Sequence, residues 1–159
     1  LGQFDPFDLS GDSSQFFLGP GACSGPDLCD FAFQPASMEP VEFGQLGECE
    51  AGEGLESAAP CFAVAGGPID IGVMQLVVPL TDSSVAGTFL SMPWPSGITN
   101  GYIRAFLKKQ TADAIKVTLP LMPQFLLSEI LPFESMETVD GVEGWHFIME
   151  FEATQVEFE

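Results

Sequence analysis

Basic residues are the scarcest feature of this sequence. Only 4 Lys and Arg stand against 23 Asp and Glu, which gives a formal net charge of −19 over 159 residues. A chain this acidic repels nucleic-acid phosphates and anionic lipid headgroups, so its composition argues against nucleic-acid binding. The acidity fits a solvated surface, a halophilic habitat or cation binding, and the sequence leaves these three open.

Catalytic motifs are absent as well. The single histidine, His146, lies between Trp145 and Phe147 in a predicted strand, and no nucleophile elbow, P-loop or dinucleotide fingerprint occurs. Paired carboxylates suited to glycoside hydrolysis can be found in any chain with 23 acids, and nothing singles out two of them. We therefore expect a protein that is not an enzyme, with a hydrolase as the least favoured alternative.

Long hydrophobic runs are missing too, so no segment is predicted to span a membrane. The chain begins at Leu1 without a signal peptide, and a secreted protein would therefore be present here in its trimmed form. A secreted, extracellular or cell-surface location is expected, with the periplasm as an alternative.

The cysteines do not have the spacing of a zinc site. They lie at Cys23, Cys29, Cys49 and Cys61, and two disulfides in an oxidising compartment are the favoured interpretation, with free buried cysteines as the alternative. Three connectivities are open, and local pairing of 23 with 29 and of 49 with 61 would fix two loops.

The chain is nevertheless rich in core-forming residues. Hydrophobic residues make up 46% of it and include 15 Phe, which predicts one domain over residues 1–159 with a well-filled interior. Residues 1–15 are a candidate N-terminal arm. At the centre, apolar runs at Ile69–Leu80 and Val85–Leu90 predict a β-hairpin whose turn is Thr81–Ser84.

The remaining patterns also predict strands. Alternation over Gly144–Glu159 predicts a strand whose apolar face carries Trp145 and Phe147. Short helices are predicted after Thr111, which is a candidate N-cap, and over Gln124–Leu131. The expected fold is all-β: an antiparallel, jelly-roll-like β-sandwich with one or two short helices.

Two acidic segments are candidate calcium ligands, since alternate oxygen-bearing residues can point at one cation. The alternative is an Asx-rich turn for the first segment and a solvated loop for the second. Calcium is the one cofactor considered, and otherwise none is expected. The candidate ligands are Asp8, Ser10, Asp12, Glu137, Asp140 and Glu143.

Candidate interface residues fall into an aromatic and a basic group. Phe4 and Phe7 belong to the arm, and Trp94 lies between two prolines in a turn that could either display or bury its indole. Arg104, Lys108 and Lys109 could dock on an acidic neighbour or neutralise acids of their own domain.

The C-terminal half contains a set of short motifs: Ala112–Ile115, Leu119-Pro120, Leu131-Pro132, Asp140-Gly141, Gly144-Trp145, Phe147, Phe151 and Ala153. On these residues it resembles a module of secreted and lipoprotein-type proteins of myxobacteria and related bacteria. The resemblance implies a secreted or surface location and no particular activity.

These observations favour a secreted structural or interaction subunit of a cell-surface or extracellular assembly. It would act through protein–protein contacts, either with its own copies or in a larger complex. The alternative is a calcium- or carbohydrate-binding module. The sequence does not identify the partner, the ligand or the symmetry.

Overall fold

The computed structural model describes residues 2–5, 7, 14–18, 21–23, 28–31, 39–44, 46–65, 67–73, 76–91, 95–118, 123–155 and 157–158. Within these residues the chain consists mainly of strands, with one short α-helix and two 3-10 turns. The all-β prediction is confirmed, while the jelly-roll-like sandwich stays a prediction.

The first ten strands are short. They are β1 (Gly2–Asp5), β2 (Gln15–Leu18), β3 (Gly21–Cys23), β4 (Leu28–Phe31), β5 (Glu39–Pro40), β6 (Glu42–Gly44), β7 (Glu48–Glu50), β8 (Glu56–Ala58), β9 (Cys61–Ala65) and β10 (Ile69–Val73). The second half contains the long strands and the helical turns. They are β11 (Leu76–Leu90), β12 (Gly97–Lys108), α1 (Lys109–Ala112), β13 (Lys116–Val117), β14 (Phe125–Leu126), the 3-10 turns Leu127–Glu129 and Phe133–Ser135, β15 (Glu137–Val139), β16 (Val142–Thr154) and β17 (Glu157–Phe158).

One antiparallel sheet organises the molecule. Its strand order is β15-β16-β12-β11-β9-β6, and β10 pairs with the first part of β11. Smaller sheets are β1-β2-β5, β17-β4-β3, β7-β8 and β13-β14, and β17 runs parallel to β4. The first part of the strand predicted over Gly144–Glu159 is confirmed as β16, with the predicted alternation of more and less buried residues, but β16 ends at Thr154 and Glu157–Phe158 pair with β4 in another sheet.

The central hairpin differs from the prediction. The segment Thr81–Ser84 lies inside β11, where the register against β12 shifts and Asp82 has a φ of 51°. The predicted turn is therefore a β-bulge within a strand. The hairpin is made by β10 and β11 instead, with Val73 opposite Leu76, so the predicted strand Ile69–Leu80 is wrong.

The first helix also begins earlier than predicted. It starts at Lys109 and ends at Ala112, so Thr111 lies inside it and is not its N-cap. Asp113 follows the last helical residue, where it accepts a hydrogen bond from Lys109 Nζ at 2.7 Å. This i,i+4 pair closes the single turn. Of the second predicted helical segment, Gln124–Leu131, only Leu127–Glu129 is helical, as a 3-10 turn, and Phe125–Leu126 is the strand β14.

The phenylalanine core lies between β1-β2-β5 and one end of the main sheet. Phe4 is the central ring, with its centroid 4.8 Å from the centroids of both Phe16 and Phe62. Phe62 in turn lies 5.3 Å from Phe89, and Phe7 lies 5.4 Å from Phe89. Many of the chain's phenylalanines are thus used to pack a small sheet onto a large one.

A second core, the helix-side core, covers the same face of the main sheet at its other end. Ile103 packs against both cores and joins them. Leu107 and Trp145 are buried there beneath α1 and the 3-10 turns. The Trp145 indole N–H donates to the carbonyl of Pro132 at 2.9 Å, which fixes the covering segment to the sheet.

The hairpin β7-β8 covers part of the opposite face of the main sheet. Its inward residues Cys49 and Ala51 pack with Cys61 and Ala86. Three hydroxyl groups reach across this contact: Ser57 Oγ donates to Asn100 O, Ser84 Oγ to Ala51 O and Thr88 Oγ1 to Ala58 O. The segment is held by paired polar groups as well as by apolar contact.

Candidate functional site

A polar ladder crosses the outer face of the main sheet. His146 on β16 lies between Arg104 on β12 and Glu137 on β15, and its side chain is 16% exposed. Arg104 Nη2 is 3.0 Å from His146 Nε2, and His146 Nδ1 is 3.1 Å from Glu137 Oε2. Phe106 packs beside the imidazole, with ring centroids 5.1 Å apart.

The chemistry of this polar ladder is fixed by its arginine. A guanidinium group can only donate hydrogen bonds, so His146 Nε2 is the acceptor and the ring proton resides on Nδ1. Glu137 accepts a hydrogen bond from this Nδ1–H group. In a hydrolytic triad, the nitrogen at the Nε2 position would face a nucleophile, whereas here Arg104 occupies that place. The arrangement stabilises three strands and is not set up for general-base chemistry.

Arg104 also links the polar ladder to the covering hairpin. Its side chain lies over Gly52, where an added Cβ atom would stand 2.7 Å from Arg104 Cδ. Gly52 has a φ of 139°, which disfavours any side chain at that position. Because the backbone at Gly52 lies so close to the Arg104 side chain, this position in the hairpin turn requires glycine.

The two lysines that follow Arg104 are used within the domain. Lys109 Nζ contacts Asp113 Oδ2 at 2.7 Å, and Lys108 is half-buried at the end of β12. The hydrogen bond from Lys109, with a further one from Ser128, lowers the pKa of Asp113, and the same pair raises the pKa of Lys109. Lys109 and Arg104 therefore both have partners within their own chain.

The disulfide between Cys49 and Cys61 is confirmed. It ties β7 to β9 and places both sulfur atoms against Gly44, where an added Cβ atom would lie 2.8 Å from each. Cys23 and Cys29 occupy opposite positions of the paired strands β3 and β4. Only one of the three possible connectivities contains the Cys49–Cys61 bond, and in it Cys23 pairs with Cys29. This second disulfide stays a prediction.

The candidate calcium ligands are only partly within the described residues, since Asp8, Ser10 and Asp12 lie outside them. Glu137 is engaged by His146, and Asp140 forms the β15-β16 turn together with Gly141, with φ values of 50° and 80°. Two successive positive φ values are typical of a type I′ hairpin turn. Among the described residues, no three acidic, histidine or cysteine side chains are grouped to hold a metal.

The aromatic interface candidates have different placements. Phe4 and Phe7 pack in the phenylalanine core of their own chain, where Phe4 contacts Phe16, Phe62 and Phe89. This placement differs from the expected arm that reaches a neighbour. Trp94 lies outside the described residues.

A shallow cleft opens beside the polar ladder. It encloses about 300 Å³ where β12 bulges between Ile98 and Gly101, next to Asn100 with its φ of 45°. Its lining combines two aromatic rings, an amide and two exposed carboxylates: Asn100, Gly101, Tyr102, Glu150, Phe151 and Glu152.

Two exposed apolar residues close in the sequence, Ile130 and Phe133, were not predicted and are called the apolar patch below. Their exposed fractions are 57% and 76%, yet the backbone that carries them is firmly held. Ile130 N donates to Leu127 O at 3.2 Å, and the indole of Trp145 holds Pro132 between the two residues. The signal in the sequence is the apolar pair flanking Leu131-Pro132, at the end of the predicted helical segment Gln124–Leu131.

Comparison with protein-family models, curated proteins and solved structures finds no match for this chain. In the described part of the chain, no helix combines the length and the apolar character needed to cross a bilayer. The functional argument therefore rests on the surfaces and contacts above.

Proposed function

We propose that this chain is an extracellular structural subunit that assembles through protein–protein contacts. The observation that carries the proposal is the apolar patch of Ile130 and Phe133, presented on a backbone that hydrogen bonds hold in place. Rigid, exposed apolar side chains are typical of binding hot spots, because little conformational entropy is lost when they are buried.

The surroundings of the apolar patch indicate the kind of surface that would cover it. Glu129 and Glu134 are exposed next to Ile130 and Phe133. A complementary surface would thus have an apolar centre and a polar rim. The exposed apolar residues lie on a chain of charge −19, which keeps it soluble until such a contact forms.

The disulfide supports the extracellular location. Cys49 and Cys61 join a surface hairpin to a central strand, and bonds of this kind persist in oxidising compartments. A subunit outside the cell has no access to the chaperones of the cytosol, so a covalent tie that keeps the hairpin closed favours long-term stability.

Light scattering of a patch variant tests this proposal. The double substitution Ile130→Ser with Phe133→Ser should reduce the size of the assembly while leaving the fold unchanged, since both side chains are exposed. Leu46→Ser with Ile148→Ser is the matched control, because these residues are also exposed and apolar but lie elsewhere. Equal effects of the two double variants, or no assembly of the native chain, would contradict the proposal.

A small-ligand module is the second candidate function, and the cleft beside Tyr102 favours it. About 300 Å³ lies at the lower end of the range for ligand sites, and an aromatic ring with carboxylates suits a sugar. Calorimetric titration with neutral glycans, and separately with calcium, would test it. Binding that is lost in Glu150→Gln would support this candidate, and the absence of heat with either ligand would count against it.

A further inference from the structure

Among the described residues, the outer edge of β10 has no partner strand. Within the described part of the chain, β10 pairs with β11 alone. By contrast, β9, which also pairs with β11, pairs with β6 along its other edge. Asp70 and Gly72 on β10 are exposed, and nothing lies within 4 Å of a Cβ atom added to Gly72. An edge of this kind offers backbone hydrogen bonds to another strand.

Pro79 indicates which backbone groups face that edge. Asp70 lies opposite Pro79, and proline has no N–H to donate into the ladder. A proline is accommodated where its nitrogen points away from the partner strand, so Asp70 and Pro79 form a non-hydrogen-bonded pair. The N–H and C=O groups of Asp70 and Gly72 therefore point outward, while those of Ile69 and Ile71 face β11.

Few charged residues lie near this edge in the sequence. Residues 57–81 contain one charged residue, Asp70, in a chain whose net charge is −19. Two copies of such a chain repel each other almost everywhere. They meet little repulsion where this nearly neutral hairpin approaches its own copy.

We propose that two copies of the chain pair their β10 strands antiparallel about a two-fold axis at Ile71. This inference rests on the proposed function and names one of its contacts. In this register, Asp70 lies opposite Gly72 of the second copy, so its carboxylate never faces the equivalent carboxylate. The outward N–H and C=O groups of both residues then form four hydrogen bonds, and the main sheet continues across the dimer.

The edge contact is separate from the apolar patch, and the two have different consequences. A two-fold contact is complete after two copies, whereas a second contact at Ile130 and Phe133 extends the dimer into a larger array. Strand pairing over five residues buries little area, so the dimer is weak on its own. Salt should strengthen this dimer, because it screens the repulsion between two acidic copies. Binding to a basic partner at the same edge would instead weaken in salt, so the salt dependence distinguishes the two.

The test uses sedimentation velocity with two substitutions of the same residue. Gly72→Pro removes one outward N–H from each copy, hence two of the four hydrogen bonds, and should weaken dimerisation by about tenfold or more. Gly72→Ala keeps the N–H and meets open space, so its dimerisation should equal that of the native chain. Both are made in the patch-negative background Ile130→Ser with Phe133→Ser, which confines assembly to the edge contact.

Hydrogen exchange on the unsubstituted chain provides a measurement that does not depend on folding of a variant. Raising the protein concentration in high salt should slow exchange of the Asp70 and Gly72 amides relative to the dilute protein. Unchanged exchange at these two amides, or equal dimerisation of Gly72→Pro and Gly72→Ala, overturns the edge contact. Larger assemblies in the native chain would then still support the proposed function, whereas a native chain that is monomeric throughout would contradict both.

Discussion

Nη2 of Arg104 lies 3.0 Å from Nε2 of His146, and this single contact determines the state of the imidazole. Because the guanidinium group can only donate, His146 Nε2 accepts from Arg104, and the Nδ1–H group faces Glu137. The three residues join β12, β16 and β15, and Arg104 continues the contact to Gly52 in the covering hairpin. The polar ladder therefore holds together parts of the chain that are distant in sequence.

Replacing the acceptor should destabilise the fold. His146→Phe leaves Arg104 without its partner on a partly covered surface, and we expect the free energy of unfolding to fall by about 1–3 kcal/mol. Ile148→Phe is the matched control, since Ile148 lies on the same face of β16, is 55% exposed and should tolerate the change. Urea unfolding compares the two variants, and equal stabilities would show that the hydrogen bond contributes nothing.

The tautomer itself can be observed. Nitrogen-15 NMR of the native protein near neutral pH should show a protonated Nδ1 and an unprotonated Nε2 for His146. Arg104→Met removes the donor and should weaken this preference for one tautomer. A native spectrum with the proton on Nε2 would contradict the assigned hydrogen bonds.

The disulfide should make Gly44 sensitive to substitution. A Cβ atom there would stand 2.8 Å from both Cys49 Sγ and Cys61 Sγ, and the covalent bond leaves neither sulfur free to move. We expect Gly44→Ala to lower the free energy of unfolding by about 1–3 kcal/mol, as overpacking does elsewhere. Gly47→Ala meets nothing within 4 Å and serves as the control in the same thermal or urea unfolding series. A neutral Gly44→Ala would mean that the backbone relaxes around the disulfide.

Two phenylalanines should differ sharply when they are truncated. Phe62 has no exposed surface and contacts Phe4, Phe16 and Phe89, so Phe62→Ala should cost about 3–5 kcal/mol. Phe133 is 76% exposed, and Phe133→Ala should change the free energy of unfolding by less than about 0.5 kcal/mol while reducing assembly. Denaturant unfolding and light scattering separate these two effects. A large loss of stability in Phe133→Ala would place that ring in the core.

The pair Lys109–Asp113 predicts a pH-dependent contribution to stability. Hydrogen bonds from Lys109 and Ser128 lower the pKa of Asp113 below its ordinary value of 3.8. A carboxyl with a lowered folded pKa stabilises the fold above its unfolded pKa, and this contribution is lost as the pH falls through the folded pKa. Carboxyl carbon-13 NMR should therefore show a midpoint for Asp113 below 3.8 that rises in Lys109→Met. An unchanged midpoint in the variant would leave Lys109 without a role.

The all-β class could be predicted because alternation and composition act locally. In β16, Trp145 and Phe147 alternate with His146 and Ile148, so the strand and its buried face follow from the sequence. The small sheet that covers the phenylalanine core could not be predicted, because its strands are short and their pairing depends on contacts distant in sequence.

The central turn was predicted wrongly for an identifiable reason. Asp82 and Ser83 resemble turn residues, but the hydroxyl groups of Ser83 and Ser84 donate to Gly67 O and Ala51 O of neighbouring segments. These distant partners satisfy the polar side chains inside a strand. A single sequence does not show where such acceptors lie, and the polar ladder of Arg104, His146 and Glu137 was missed for the same reason.

Light scattering of the native chain, over a range of concentrations in low and high salt and with and without calcium, tests the central claim most directly. A structural subunit should show a mass above that of one chain, and this mass should increase with protein concentration and with salt. A requirement for calcium would add a cation to the assembly. The mass of a single 17.0 kDa chain under every condition would contradict the account.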